Sequence, residues 1–144
     1  MKLKDIMTTD VRFLRPNTTL KECGQWMKAL DIGAIPICDG ERIVGIVTDR
    51  DLTLQGTAEG LAPAETPVSR VMSTPVIYCY EDDEIARAAH LMETKQIRRL
   101  VVINREKRLT GIVALGDLAA KSSDKDLSEE VLEKVSEPVR GRAA

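Results

Sequence analysis

Aromatic side chains are scarce: one Phe, one Trp and two Tyr in 144 residues, so any core must be aliphatic. There is a single histidine, His90. That excludes a two-histidine metal site within one chain and leaves a histidine-based triad only one residue to use. The three cysteines, Cys23, Cys38 and Cys79, form no close pair and no CxxC motif. This points to reduced thiols and a cytoplasmic setting. No apolar run approaches the ~20 residues that span a bilayer, and the opening MKLKDIMTTD lacks the apolar stretch of a signal peptide. An excess of one charge is also missing. With 21 basic and 23 acidic residues the net charge is −2, unlike a general nucleic-acid binder. The expected partners therefore include neither nucleic acid nor membrane.

What is present is a globular mixture, 43% hydrophobic and 31% charged, long enough for one domain or two very small ones. An internal repeat organises it. At an offset of 65, Ile6-Met7 falls on Val71-Met72, Leu20, Cys23 and Met27 on Ile85, Ala88 and Met92, and Ile32 on Ile97. One extra residue then shifts the offset to 66, where Gly45-Ile46-Val47 matches Gly111-Ile112-Val113 and Asp51-Leu52 matches Asp117-Leu118.

Each copy predicts the same element order. An extended segment comes first, Val11 to Leu14 or Val76 to Cys79. A helix follows, entered at Thr19-Leu20-Lys21-Glu22 with capping-box spacing or at the acidic run Glu81-Asp82-Asp83-Glu84. Apolar residues then recur at helical spacing. Two short apolar runs come next, Ala34 to Cys38 and Ile43 to Val47 around the turn signal Asp39-Gly40, or Leu100 to Ile103 and Leu109 to Val113. A short helix begins near Asp49 and near Leu115. The order is β-α-β-β-α, twice, an α/β (α+β) architecture. Residues 1–56 form the first repeat, 57–67 a linker containing Gly60, Pro63 and Pro67, and 68–121 the second repeat. Residues 122–144 form a tail in which Leu127, Val131, Leu132 and Val135 mark an accessory helix.

The segment Gly45-Ile46-Val47-Thr48-Asp49-Arg50-Asp51-Leu52, its counterpart Gly111 to Leu118, Ile35-Pro36-Ile37 and the Ile-Met or Val-Met entry of each unit resemble the tandem CBS-domain pair, or Bateman module. The resemblance spans about residues 1–120. It implies two repeats packed sheet to sheet with pseudo-twofold symmetry. It also implies clefts between them for an adenosine-containing ligand such as AMP, ADP, ATP or S-adenosylmethionine, and association into a homodimer. Such modules regulate an attached or separate protein, and a separate regulated chain is the expectation here. They require no cofactor and carry out no catalysis.

The residues give that implication a chemistry. A carboxylate accepts hydrogen bonds from both hydroxyls of a ribose. Asp51 stands where strand turns to helix, and Thr48 adds a hydroxyl for a ribose or phosphate oxygen. Backbone N–H groups at the helix start favour an anion. Val11, Ile35, Pro36 and Ile46 are candidates to surround adenine. Asp51 and Thr48 equally suit a helix cap. The second copy keeps Asp117 but has Ala114 in place of the threonine, so two unequal clefts are expected. Arg99 suits a phosphate or a solvated charged face. Arg98 fits the solvated face better, and Arg50 faces a phosphate or pairs with Asp49 or Glu59. The acidic run at 81–84 is better explained by the helix dipole than by a metal ion. Trp26 is either a core margin or, with Leu91, a dimer contact. His90 reads as a polar helix residue rather than a catalyst. The alternative to a sensor is a protein-association scaffold with weak or vestigial nucleotide clefts.

Overall fold

The computed structural model describes residues 1–121 and, beyond them, only Glu133. The accessory helix expected from Leu127 to Val135 lies, apart from Glu133, outside the described residues.

The elements follow the repeat. Helix α1 spans Leu20–Leu30, strands β1 and β2 span Ala34–Asp39 and Arg42–Thr48, and one helical turn, α2, spans Asp49–Asp51. This turn widens into a π-helical stretch over Leu52–Thr57, so the helix runs into the expected linker. In the second copy β3 spans Tyr78–Tyr80, α3 Ile85–Lys95, β4 Arg99–Ile103, β5 Leu109–Ala114 and α4 Leu115–Lys121. α1 and α3 start 65 residues apart, and each ends on a left-handed residue, Asp31 or Gln96, both at φ 52°.

The contacts divide the chain into two compact units that cut across the repeat boundaries. One unit, here the composite unit, joins Met1–Val11 and Ile77–Glu106 to Thr110–Lys121. The other, the central unit, holds Arg12–Val76 with Lys107–Leu109. The cause is an exchange of entry segments. Residues 66–69, the end of the linker and the start of the second repeat, bond to the start of the first repeat's helix and the residues before it. The Leu20 N–H donates to the Thr66 carbonyl at 2.9 Å, the Val68 N–H to Thr18 at 2.7 Å and the Ser69 N–H to Pro16 at 3.1 Å. Residues 1–4 make the same bonds in the composite unit, with Ile85 donating to Met1, Leu3 to Asp83 and Lys4 to Glu81.

Each unit has its own aliphatic core. In the central unit Leu20, Cys23 and Met27 of α1 pack on Ile35, Ile37 and Val47, sealed by Val68 and Val71 of the entry segment. In the composite unit Ile85, Ala88 and Met92 of α3 pack on Leu100, Val102 and Val113, sealed by Leu3 and Ile6. Burial of an aliphatic side chain contributes about 1.5–3 kcal/mol, so the two borrowed residues in each core are worth several kcal/mol to the unit that receives them.

The first extended segment is shorter than its sequence suggests. β3 pairs in parallel with β4 over three residues, but in the first copy only Leu14 bridges Ile37. The Glu81 N–H extends the second ladder to the Ile103 carbonyl. Its counterpart 65 residues earlier is Pro16, which has no N–H to donate. The central unit therefore has a two-stranded sheet, β1-β2, and the composite unit a three-stranded one, β3-β4-β5.

The acidic run ends on Glu84, the N-cap of α3, at the positive end of the helix dipole, and its carboxylates also find specific partners. Lys2 Nζ approaches Glu84 at 2.6 Å, Arg105 pairs with Asp82 at 3.0 Å, and Asp83 accepts from the Tyr80 N–H at 2.9 Å. These carboxylates hold the entry segment, the loop after β4 and the end of β3.

Candidate functional site

β-pleating sorts the expected adenine contacts. Antiparallel pairing sets Ile35 opposite Val47, Pro36 opposite Ile46 and Ala34 opposite Thr48. Cross-strand partners share a face and successive residues alternate. Ile35 and Val47 therefore turn to α1, and Ile35 is fully buried in that core. Pro36, Ile46 and Thr48 share the opposite face. Ile35 is thus a core residue on the wrong face to line a site with Pro36, a separation that the period of two already dictated. Val11 belongs to the composite unit and Pro36, Ile46, Thr48, Arg50 and Asp51 to the central unit.

At the end of β2 the backbone turns into α2, and Thr48 and Asp51 bond reciprocally. The Thr48 hydroxyl accepts from the Asp51 N–H at 3.0 Å, while the Thr48 N–H donates to Asp51 Oδ2 at 2.9 Å. The Ser73 hydroxyl lies 3.4 Å from Oδ1 and 3.3 Å from Oδ2. Sequence reasoning missed Ser73. It comes from the entry segment of the next repeat, held by paired backbone bonds between Ser73 and Ile46. The capping geometry is present, and it does not exhaust the carboxylate. Two oxygens offer about four acceptor positions, and the box spends one of them while fixing the side chain's direction.

The expected anion site on backbone N–H groups is overturned by the same turn. The Asp49 N–H donates to the Gly33 carbonyl at 2.9 Å and the Arg50 N–H to Asp49 Oδ1 at 2.8 Å. With Thr48 and Asp51 donating inside the box, all four donors are taken. A phosphate here depends on side-chain cations. The Arg50 side chain is exposed.

The composite unit repeats the turn with fewer parts. The Ala114 N–H donates to Asp117 Oδ2 at 2.8 Å, with no hydroxyl to return the bond. The Leu115 N–H donates to the Arg98 carbonyl at 2.8 Å, as Asp49 does to Gly33. Arg99 opens β4 and is exposed, as is Arg98. Alternation puts Arg99 on the face of Val101, opposite Leu100 and Val102, which belong to the core.

The remaining candidates are placed plainly. Trp26 is 39% exposed, with the Arg12 guanidinium 5.5 Å from its ring, and Leu91 packs against its own core. His90 is exposed on α3, and its neighbour Thr94 commits its hydroxyl to the His90 carbonyl at 2.7 Å. All three thiols are unpaired and buried, and burial pushes each up to about 11. Among the described residues no three His, Cys, Asp or Glu side chains gather to hold a metal ion, and no helix is long and apolar enough to cross a membrane.

Two copies of one helix–hairpin–helix unit, each closing its hairpin on a capped acidic turn, define a tandem-repeat α/β protein. The chain belongs to the CBS domain family, which matches residues 3–55 and 68–124. It is 40% identical to the CBS domain-containing protein YhcV of Bacillus subtilis over 134 residues, 93% of this chain and 94% of that one. A crystal structure of Hypoxic Response Protein I with two coordinated zinc ions matches at TM-score 0.78 and 35% identity, covering 84% of this chain and 98% of that one. The CBS domain protein PAE2072 of Pyrobaculum aerophilum, complexed with AMP, shares the fold at TM-score 0.77 and 21% identity, over 92% and 99% of the two chains.

Proposed function

We propose that the chain is a non-catalytic sensor of an adenosine-containing ligand, AMP, ADP, ATP or S-adenosylmethionine, and that its occupancy regulates a separate protein in a reducing, cytoplasmic setting. The observation that carries this is the Asp51 carboxylate. The capping box fixes its direction, one oxygen is spent on the Thr48 N–H, and its outer contact is a long hydroxyl bond from Ser73. Two ribose hydroxyls take the place of one serine hydroxyl there. Pro36 and Ile46, on the face of Thr48, supply aliphatic surface for a base. Family membership and the AMP-bound protein of the same fold support the ligand class. The exposed Trp26 face supports a homodimer.

Calorimetry with each of the four ligands tests the proposal. Wild type is expected to bind at least one of them. Asp51→Ala should weaken that ligand by roughly 10- to 100-fold, because a hydrogen bond to a charged group contributes about 1.5–3 kcal/mol. Circular dichroism should show both proteins folded, the variant about 1 kcal/mol less stable for the lost cap. Silence of folded wild type toward all four ligands overturns the reading. So does an Asp51→Ala variant that binds normally and merely melts earlier.

A further inference from the structure

Asp51 and Asp117 occupy equivalent positions and cap equivalent N–H groups, but their outer oxygens face different partners. At Asp51 the outer partner is the neutral Ser73 hydroxyl at 3.3–3.4 Å. At Asp117 it is a cation. Lys121 Nζ lies 3.3 Å from Asp117 Oδ1 and donates to the Ile6 carbonyl at 3.2 Å. We infer that Lys121 is a built-in counter-ion that holds the face of Asp117 a ribose diol needs, so that the chain takes one adenosine-type ligand rather than two. This inference rests on the ribose reading of Asp51.

Helix geometry makes the difference. α4 is regular through Lys121, which sets residue 121 one turn above residue 117, where an Asp and a Lys four apart meet. In the first copy the helix widens after Asp51 into π-turns over Leu52–Thr57. Wider turns carry the residue four positions on away from the carboxylate. That residue is Gln55, which is uncharged and exposed. A lysine at 55 would not reproduce the contact without changing the helix.

The pair is stronger than an ordinary surface one. Exposed four-apart pairs contribute little, because water and salt screen them. Here the carboxylate side chain is 17% exposed, and the ammonium has a second anchor in the Ile6 carbonyl, on the exchanged N-terminal segment. A diol approaching Asp117 brings two hydroxyl donors to the carboxylate but must break its ion pair with Lys121. A diol approaching Asp51 displaces only a long hydroxyl contact. Ala114 removes the hydroxyl that the first copy offers as well.

The test is titration stoichiometry with AMP, ATP and S-adenosylmethionine, each separately. Wild type is expected to bind one equivalent per chain. Lys121→Gln should bind two, with the second event tightened about tenfold or more into the measurable range. Lys121→Arg, which keeps the charge, should return the count to one. Asp51→Ala should bind its one equivalent roughly 10- to 100-fold more weakly, and Asp51→Ala with Lys121→Gln should regain one tighter equivalent. A wild type that binds two equivalents overturns the inference, as does a Lys121→Gln variant that still binds one through Asp51. Both results leave the ribose reading of Asp51 standing. Absence of binding by every folded protein overturns that reading, and the inference falls with it.

Discussion

Gly45 and Gly111 stand at matching positions of β2 and β5, both buried, and each faces a methionine of an exchanged entry segment. Adding a methyl group to either distinguishes a neighbour that can move from one that cannot. A Cβ on Gly45 would lie 2.5 Å from Met72 Sδ, 2.9 Å from its Cγ and 3.2 Å from its Cβ, all in one unbranched side chain. A Cβ on Gly111 would lie 2.6 Å from Met7 Sδ and 2.9 Å from its Cγ, and also 2.9 Å from the Thr8 carbonyl oxygen. That carbonyl accepts from the Ile112 N–H at 3.0 Å, while the Thr8 N–H donates to Ile112 at 2.9 Å, so the backbone is held on both sides. Overpacking a core costs about 1–3 kcal/mol, and replacing Gly by Ala recovers about 0.4–1 kcal/mol from the unfolded chain. A methionine swings aside at small cost. Gly45→Ala should therefore lose about 1 kcal/mol or less, and Gly111→Ala about 2 kcal/mol or more, the difference being the immovable carbonyl. Urea denaturation followed by circular dichroism resolves that gap, which also corresponds to a melting difference of several degrees. Shortening the methionine adds a second check. Met72→Ala should remove nearly all of the Gly45→Ala clash in a double-mutant cycle, whereas Met7→Ala should leave the carbonyl clash of Gly111→Ala in place. If Gly111→Ala proves as mild as Gly45→Ala, the Thr8 carbonyl is not fixed as argued.

Alkaline stability should fall as pH rises from about 9 to about 11. The buried thiols keep their protons up to about 11, while the unfolded chain loses them from 9.0, a difference on the order of 2–3 kcal/mol per thiol. A urea midpoint that holds steady across that window would count against buried thiols. Likewise, a disulfide-exchange reagent should find almost no thiol in the native protein at pH 8 and three after unfolding, and rapid native labelling would refute the same burial. Acid should act at the other end of the chain's range. The bond from Arg105 holds Asp82 below its usual 3.8, and the bond from Lys2 holds Glu84 below its usual 4.5. Their stabilisation is complete above those ordinary values and lost as pH falls through the lowered ones. The acid-unfolding midpoint of Lys2→Ala combined with Arg105→Ala should move toward neutral pH, and an unmoved midpoint would show that these pairs do not hold the entry segment.

Much of the fold was legible because a repeat tests itself: two weak signals 65 residues apart agree where either alone would not. Helix register, the hairpin at Gly40 and the short helices after β2 and β5 all followed. The first extended segment did not, because a strand signal counts apolar residues while its length depends on backbone donors, which Pro16 and Pro36 both lack. The ion pairs of the acidic run were not legible, because its cations, Lys2 and Arg105, are distant in sequence. Half of the candidate site was legible in the same way. The Thr48–Asp51 pair announces itself by spacing, and the separation of Ile35 from Pro36 was there to be read in the pleat. Ser73 was not, since a segment 22 residues away had to be brought back to the turn. The Asp117–Lys121 spacing was visible, but its meaning required the Ile6 carbonyl and the widened helix in the other copy.

The exchange of entry segments orders the assembly of the chain in time. Residues 12–76 contain nearly everything the central unit needs, so it closes its contacts over short loops and is complete early in synthesis. The composite unit must wait, because residues 1–11 find their partners only when residues 77–121 exist. Bringing ends that far apart together is the slow, high-contact-order step. The opening segment is thus made first and placed last. During that interval Leu3 and Ile6, core residues in the finished protein, are exposed, and the unit that lacks them is the one later in the chain rather than the one beside them.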